Sequence, residues 1–145
     1  MTAPRPYREL TAATQAAEAL DAMLALQGTE VEGTRDRIHT AWQALLTNQA
    51  HDSISGCHVP DVTRDVLTRA HAGMAAARSA LQASAHELGG DVVVFNPLGW
   101  ARTDVVDVPW TGTPPGALEG PDGNVPWHMV RDRGRARLRA RVTVP

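Results

Sequence analysis

No lysine occurs in this sequence, so all of its positive charge rests on 14 arginines, set against 16 acidic residues for a formal net charge of −2. That balance argues against a dedicated nucleic-acid binder, which carries a clear basic excess. The abundance of arginine and alanine reads as compositional bias, not as a basic function. A single cysteine, Cys57, excludes an internal disulfide and fits a reducing compartment. There is no run of about 18 apolar residues, so no membrane span is expected. Residues 1–6 lack the apolar core of a secretory signal, and a cytoplasmic location is the expectation. Aromatic residues make up only 4% of a chain that is 43% hydrophobic. Its core must therefore be built largely from Ala, Val and Leu.

What is present divides near Gly89-Gly90. Before that point the apolar residues recur at helical spacing; after it the spacing shortens to two, and Val, Pro, Gly and Trp dominate. Leu10, Ala13, Ala17, Leu20 and Leu24 form one face of a first helix, ended by the 28–33 stretch with its glycines. A second helix starts near Thr34, expected as its N-cap, with Ile38, Trp42, Leu45, Leu46 and Gln49 on its inner stripe. A third starts at Pro60-Asp61, a residue pair suited to a first turn. Its expected stripe is Val59, Val62, Val66, Ala70, Met74, Ala77, Leu81, Ala85 and Leu88. Three amphipathic helices with short links predict a three-helix bundle over residues 7–90.

Residues 91–145 read as strands: 91–95, 103–108, 125–130 and 135–144, with a Pro- and Gly-rich loop over 111–124. In the last of these, Arg occupies every odd position from 135 to 141, while the even positions hold Ala, Leu or Val. Such alternation gives one wet and one buried face. The Arg face lacks the interleaved aromatics of a nucleic-acid surface and reads as solvated. The fold class expected is α+β: a three-helix bundle followed by the first strands of a truncated β-sandwich-like domain.

The stretch most open to chemistry is 48–57, where His51 and Asp52 stand side by side near the end of the second helix. Helical arithmetic puts His51 opposite the inner stripe, on a small polar side with Thr40, Ala44 and Thr47, facing an interface. The competing view is a surface histidine favoured by the helix C-terminus. A metal site takes three or four ligands, and His51, Cys57 and His58 match no familiar spacing. Cys57-His58 as a nucleophile pair lacks an orienting third group. Cys57 is expected as a small buried residue at the turn. Trp100, Trp110 and Trp127 are read as domain packing.

Two motifs carry a family resemblance. Trp42-Gln43-Ala44-Leu45-Leu46-Thr47-Asn48-Gln49-Ala50-His51-Asp52-Ser53-Ile54-Ser55-Gly56 is similar to W-x-x-L-L-x-N-Q-F-H-D-S-I-x-G of glycoside hydrolase family 38 α-mannosidases. Val94-Phe95-Asn96-Pro97-Leu98-Gly99-Trp100-Ala101-Arg102 resembles the V-F-N-P-L-S/G-W-x-R that opens that family's C-terminal β-domain. Ala50 departs from the pattern, which favours a bulky residue there.

The resemblance implies that residues 7–90 are the helix-bundle middle domain and 91–145 the N-terminal part of the C-terminal β-domain. It implies zinc as cofactor, with His51 as one metal ligand and Asp52 as a substrate-binding carboxylate on sugar hydroxyls. The substrate class implied is an α-mannoside carbohydrate, hydrolysed with retention of configuration. The partner implied is a catalytic α/β domain. The H-x-D ligand pair and the aspartate nucleophile of that domain have no counterpart here, so no catalytic residue is expected in this chain and the chain alone should be inactive. A non-catalytic helical interaction or scaffold module is the alternative.

Overall fold

The computed structural model describes residues 5–57 and 59–145. Nine elements follow in chain order: α1 (Arg5–Leu26), α2 (Thr34–Asn48), α3 (His51–Ser55), α4 (Pro60–Leu88), β1 (Arg102–Pro109), β2 (Glu119–Gly120), β3 (Gly123–Asn124), β4 (Trp127–Asp132) and β5 (Arg135–Val144). Helices followed by a small antiparallel sheet make this an α+β chain, as the change of period predicts. The chain divides into two compact units, Met1–Val93 and Val94–Pro145.

In the first unit, α4 packs against both α1 and α2. Its inner face is Val66, Ala70, Gly73, Ala77, Ala80 and Ser84, alternating steps of four and three. That spacing is a coiled-coil seam, and small residues along it let neighbouring backbones approach closely. The expected stripe is therefore rotated. Val59, Val62 and Leu88 are exposed, whereas Gly73, Ala80 and Ser84 point inward. On α2 the seam runs Thr34, Ile38, Ala41, Leu45, Asn48, with Ala44 also buried. Leu46 is 59% exposed and Gln49 is exposed too, so neither lies on the inner stripe. On α1 the buried set is Tyr7, Leu10, Thr14, Ala17, Leu20 and Leu24. Thr14 is tolerated because its hydroxyl donates to the Leu10 carbonyl at 2.8 Å. Leu10, Leu20 and Leu45 are the largest apolar side chains fully buried in this unit, each contributing roughly 1.5–3 kcal/mol.

The helix ends follow from local chemistry. Pro60 stands at the start of α4, where its missing N–H costs nothing. The N-cap of α2 is Gly33 in a left-handed conformation and not Thr34. Thr34 is the first helical residue and is buried, its hydroxyl without a partner among the described residues.

The second unit is a three-stranded antiparallel sheet in the order β1-β5-β4, with a two-residue ribbon of β2 and β3. Residues 91–95, expected as a strand, are irregular. Their Val-rich pattern finds no neighbouring strand to supply ladder hydrogen bonds among the described residues. β5 is central, pairing Asp107 with Arg139 on one side and His128 with Arg139 on the other. Leu138 and Ala140 of β5 are buried while the odd-numbered arginines stand on the opposite face. That face is more than solvated: Arg139 clamps the Asp107 carboxylate with two hydrogen bonds of 2.7 Å, and Arg137 donates to the Asp107 carbonyl at 2.9 Å.

The second motif closes this unit. The Asn96 amide donates to the carbonyls of Trp100 at 2.7 Å and Pro145 at 3.0 Å. Its Oδ1 accepts the Leu98 N–H at 3.2 Å, the turn-making geometry of asparagine. One side chain thus folds the Asn-Pro-Leu-Gly-Trp loop and ties it to the end of β5.

Two outcomes are expected. A Cβ added at Gly73 would lie 2.6 Å from the Ala44 Cβ and 3.3 Å from Leu10 Cδ1. Gly73→Ala gains about 1 kcal/mol of helix propensity but overpacks the seam by about 1–3 kcal/mol. Urea titration followed by circular dichroism should therefore show a net loss of up to about 2 kcal/mol, relieved by adding Ala44→Gly. The second concerns acid. The Arg139 hydrogen bonds hold the Asp107 carboxyl below the ordinary carboxylate range, helped by the charges of Arg139, Arg137 and His128 and opposed by burial. A depressed folded value stabilises above the unfolded value and is lost as pH falls through the folded one. The sheet unit should therefore melt at progressively lower temperature as pH falls through and below the carboxylate range, and Asp107→Asn should flatten that dependence.

Candidate functional site

The site begins where α2 ends. Asn48, its last residue, continues the apolar seam yet carries an amide, and it is completely buried. Its Nδ2 donates to the Val66 carbonyl of α4 at 2.9 Å, and its Oδ1 accepts from Arg69 Nη1 at 2.6 Å. Tyr7 of α1 lies beside this pair: burial pushes its phenol up, and the Arg69 charge partly offsets that. The Tyr7 hydroxyl has no hydrogen-bond partner among the described residues. The Asn48 bonds thus tie the end of α2 to α4.

Beyond Asn48 the chain turns sharply. Gln49 closes α2 with a bond from its N–H to the Leu46 carbonyl. Ala50 is extended at φ −50° and ψ 136°. Its carbonyl then accepts the N–H groups of Ser53 at 2.9 Å and Ile54 at 3.0 Å, starting α3. The turn ends at Gly56, whose φ of 74° is the left-handed region that glycine enters without a Cβ penalty. The Cys57 N–H returns to the Asp52 carbonyl at 3.1 Å, and the Ser55 hydroxyl caps the His51 carbonyl at 2.7 Å. The Ser-Ile-Ser-Gly run of the first motif is thus the wiring of a one-turn helix.

His51 and Asp52 are the first two residues of α3. Nε2 of His51 lies 3.0 Å from Oδ1 of Asp52; the side chains are 93% and 65% exposed. Outward placement of His51 agrees with the sequence expectation, but for a different reason. The helix is interrupted at Ala50, so counting 100° per residue past Asn48 does not apply. Ala44, expected on the outer side with His51, is buried against α4. Cys57, expected as buried, is exposed, because Gly56 carries the chain out of the helix before it. His58 lies outside the described residues.

The ring pairing has a chemical consequence. An imidazole with one nitrogen beside a carboxylate can keep the lone pair of its other nitrogen for a ligand. No group of three His, Cys, Asp or Glu side chains among the described residues could hold a metal ion. Among the described residues the corner offers an imidazole with a carboxylate beside it and no group of three such side chains. Beside α3 an open groove of about 320 Å³ is lined by Tyr7, Thr11, Gln15, Leu45, Gln49 and Ile54. A larger depression of about 370 Å³ lies at the other end of α2, around Asp21, Glu30 and Asp36, and does not include His51 or Asp52.

Asn48 and Arg69 are the residues that periodicity alone passes over. The available signal was an asparagine at a seam position, four-three spaced from Thr34, Ile38, Ala41 and Leu45. A polar side chain there is explained only by partners from another helix. His51 and Asp52, by contrast, contribute little to the fold. Their alanine variants should unfold within about 0.5 kcal/mol of the parent chain, the range for surface sites, as measured by thermal melting. A larger loss would mean that the pair is structural.

Comparison with known proteins supplies the remaining link. No helix among the described residues is long and apolar enough to cross a membrane. No curated protein and no solved structure matches the chain. A family model described as the alpha mannosidase middle domain matches residues 5–88. That span is more than half of the chain, runs from the first residue of α1 to the last of α4, and contains the His51–Asp52 corner. The chain belongs to the alpha-mannosidase middle domain family.

Proposed function

We propose that this chain serves a cytoplasmic, zinc-dependent, retaining α-mannosidase by lending His51 as one zinc ligand and Asp52 as a contact to sugar hydroxyls. The observation that supports this is an almost fully exposed imidazole, with a carboxylate 3.0 Å away, on a one-turn helix of an alpha-mannosidase middle domain. The other ligands, the nucleophile and the acid/base carboxylate belong to a catalytic α/β domain outside these residues. When bound, zinc would supply a template and Lewis acid for the sugar hydroxyls.

What this chain's residues do is narrower. His51 must be neutral to offer a lone pair, and Asp52 accepts hydrogen bonds as a carboxylate. Retaining hydrolysis needs two carboxyl groups about 5–5.5 Å apart across the glycosidic bond, a pair assigned wholly to the catalytic domain. The isolated chain is then inactive on mannosides, while the α2–α3 corner completes the site from outside.

The test uses an aryl α-mannoside with added zinc. The chain alone should give no turnover and hold less than one equivalent of zinc. Combined with a catalytic domain of this family, it should restore turnover. His51→Ala should then cost at least about a hundredfold, above the range for outer-shell partners of a metal. Asp52→Ala should cost about tenfold to a hundredfold, the scale of hydrogen bonds to a charged group. Turnover by the isolated chain that His51→Ala abolishes would overturn its predicted inactivity. Restored turnover that ignores both substitutions would overturn their assigned roles.

A further inference from the structure

We propose that Asn48, clamped by Val66 and Arg69 of α4, is the positioning residue that fixes where α3 stands and hence where His51 and Asp52 are presented. Its value to the site rests on the reading of His51 as a ligand; its effect on α3 does not.

The physical case is one of short reach. Only Gln49 and Ala50 separate the anchored Asn48 from His51, so the span between their Cα atoms is at most about 10 Å. α3 has five residues and buries none of them. A single helical turn is not stable by itself, and its packing against α4 is sparse. Its backbone direction must therefore be inherited from the end of α2. That end is held to α4 by the Asn48 amide, which uses its donor on the Val66 carbonyl and its acceptor on the Arg69 guanidinium at the same time.

No other side chain reproduces this. Aspartate keeps the Arg69 contact but has no N–H for Val66 and sets a carboxylate against a carbonyl. Leucine or alanine satisfies neither partner, and glutamine is longer by one methylene. The buried contacts also cross between α2 and α4, residues separated by 18 and 21 positions in sequence. Asn48 thus converts a tertiary contact into the orientation of a local turn.

Amide hydrogen exchange of the 145-residue chain reads this directly through the Ser53, Ile54 and Cys57 N–H groups, each bonded to an α3 carbonyl or to Ala50. In Asn48→Ala and Asn48→Asp these amides should exchange about tenfold faster, the scale of one lost buried hydrogen bond. The His51 ring resonances should also move toward those of free histidine. Arg69→Met, which leaves the Val66 bond in place but removes the bond to the charged group, should also accelerate exchange by about tenfold or more, and it decides the matter should Asn48→Ala fail to fold. Leu20→Ala serves as a control: it removes a fully buried side chain of α1 and should lower the melting temperature without altering α3 exchange. Unchanged α3 exchange in the Asn48 variants or in Arg69→Met would overturn the proposal. Equal acceleration in Leu20→Ala would overturn it too, by reducing Asn48 to a general stabiliser. None of these readouts involves zinc, so the positioning role and the ligand role fail separately.

Discussion

At Gly73 there is no room for a methyl group, because Ala44 of α2 and Leu10 of α1 close over it. This close approach is the condition on which the helical unit is built. Six seam residues of α4 offer nothing larger than one valine, so the unit cannot rely on a few large side chains filling a wide gap. It relies instead on short backbone separations, where many weak dispersion contacts accumulate. Close packing leaves some buried hydroxyls without a partner, those of Tyr7, Thr34 and Ser84 among the described residues, while others are satisfied locally or in pairs. Thr14 satisfies its hydroxyl one turn back, and Asn48 has both ends of its amide taken. An unpaired amide there would cost about 1–3 kcal/mol with no water able to reach it.

The same geometry accounts for which parts of the fold were legible in the sequence. Helix existence came through because period survives substitution by small residues: Leu10, Ala17, Leu20 and Leu24 mark α1 as clearly as larger side chains would. The inner face of α4 did not, since apolarity draws the eye to Val62, Met74 and Leu88 while the seam is Gly73, Ala80 and Ser84. In an ordinary bundle the larger residues face inward; in a close-packed one they flank the seam. Thr34 misled in a related way, as a good N-cap type beside a glycine that adopts the cap conformation itself. In the sheet unit the alternating arginines of β5 gave the strand its limits and its two faces. The Val-rich 91–95 stretch carried the same signal without a neighbour to pair with, and strand pattern alone cannot report a missing neighbour.

Of the candidate site, the residue pair was legible and its support was not. His51 and Asp52 stand out as an adjacent imidazole and carboxylate followed by small polar residues. The break at Ala50 is less visible, because alanine is the best helix former and nothing about it forbids continuing α2. The break itself lies in the backbone of Ala50, at φ −50° and ψ 136°, two residues after Asn48 is bonded to Val66 and Arg69 of α4. Ala50 is the point at which the chain changes direction. A small side chain suffices for that, since ψ near 136° at Ala50 needs no packing partner to be populated.

Backbone support and side-chain exposure separate along this corner. The backbone of α3 is determined at every step, by Asn48 before it, by Ser55 on the His51 carbonyl and by Gly56 after it. The His51 side chain that this backbone carries is 93% exposed, and its one polar partner among the described residues is its neighbour Asp52. A side chain with no stabilising task needs no precise support for the sake of the fold, and a short surface turn could be made by many looser sequences. Precise support beneath an idle side chain is intelligible when the side chain acts on something outside the chain. That inequality, more than the presence of a histidine, is the physical reason to look for the purpose of this domain at the α2–α3 corner.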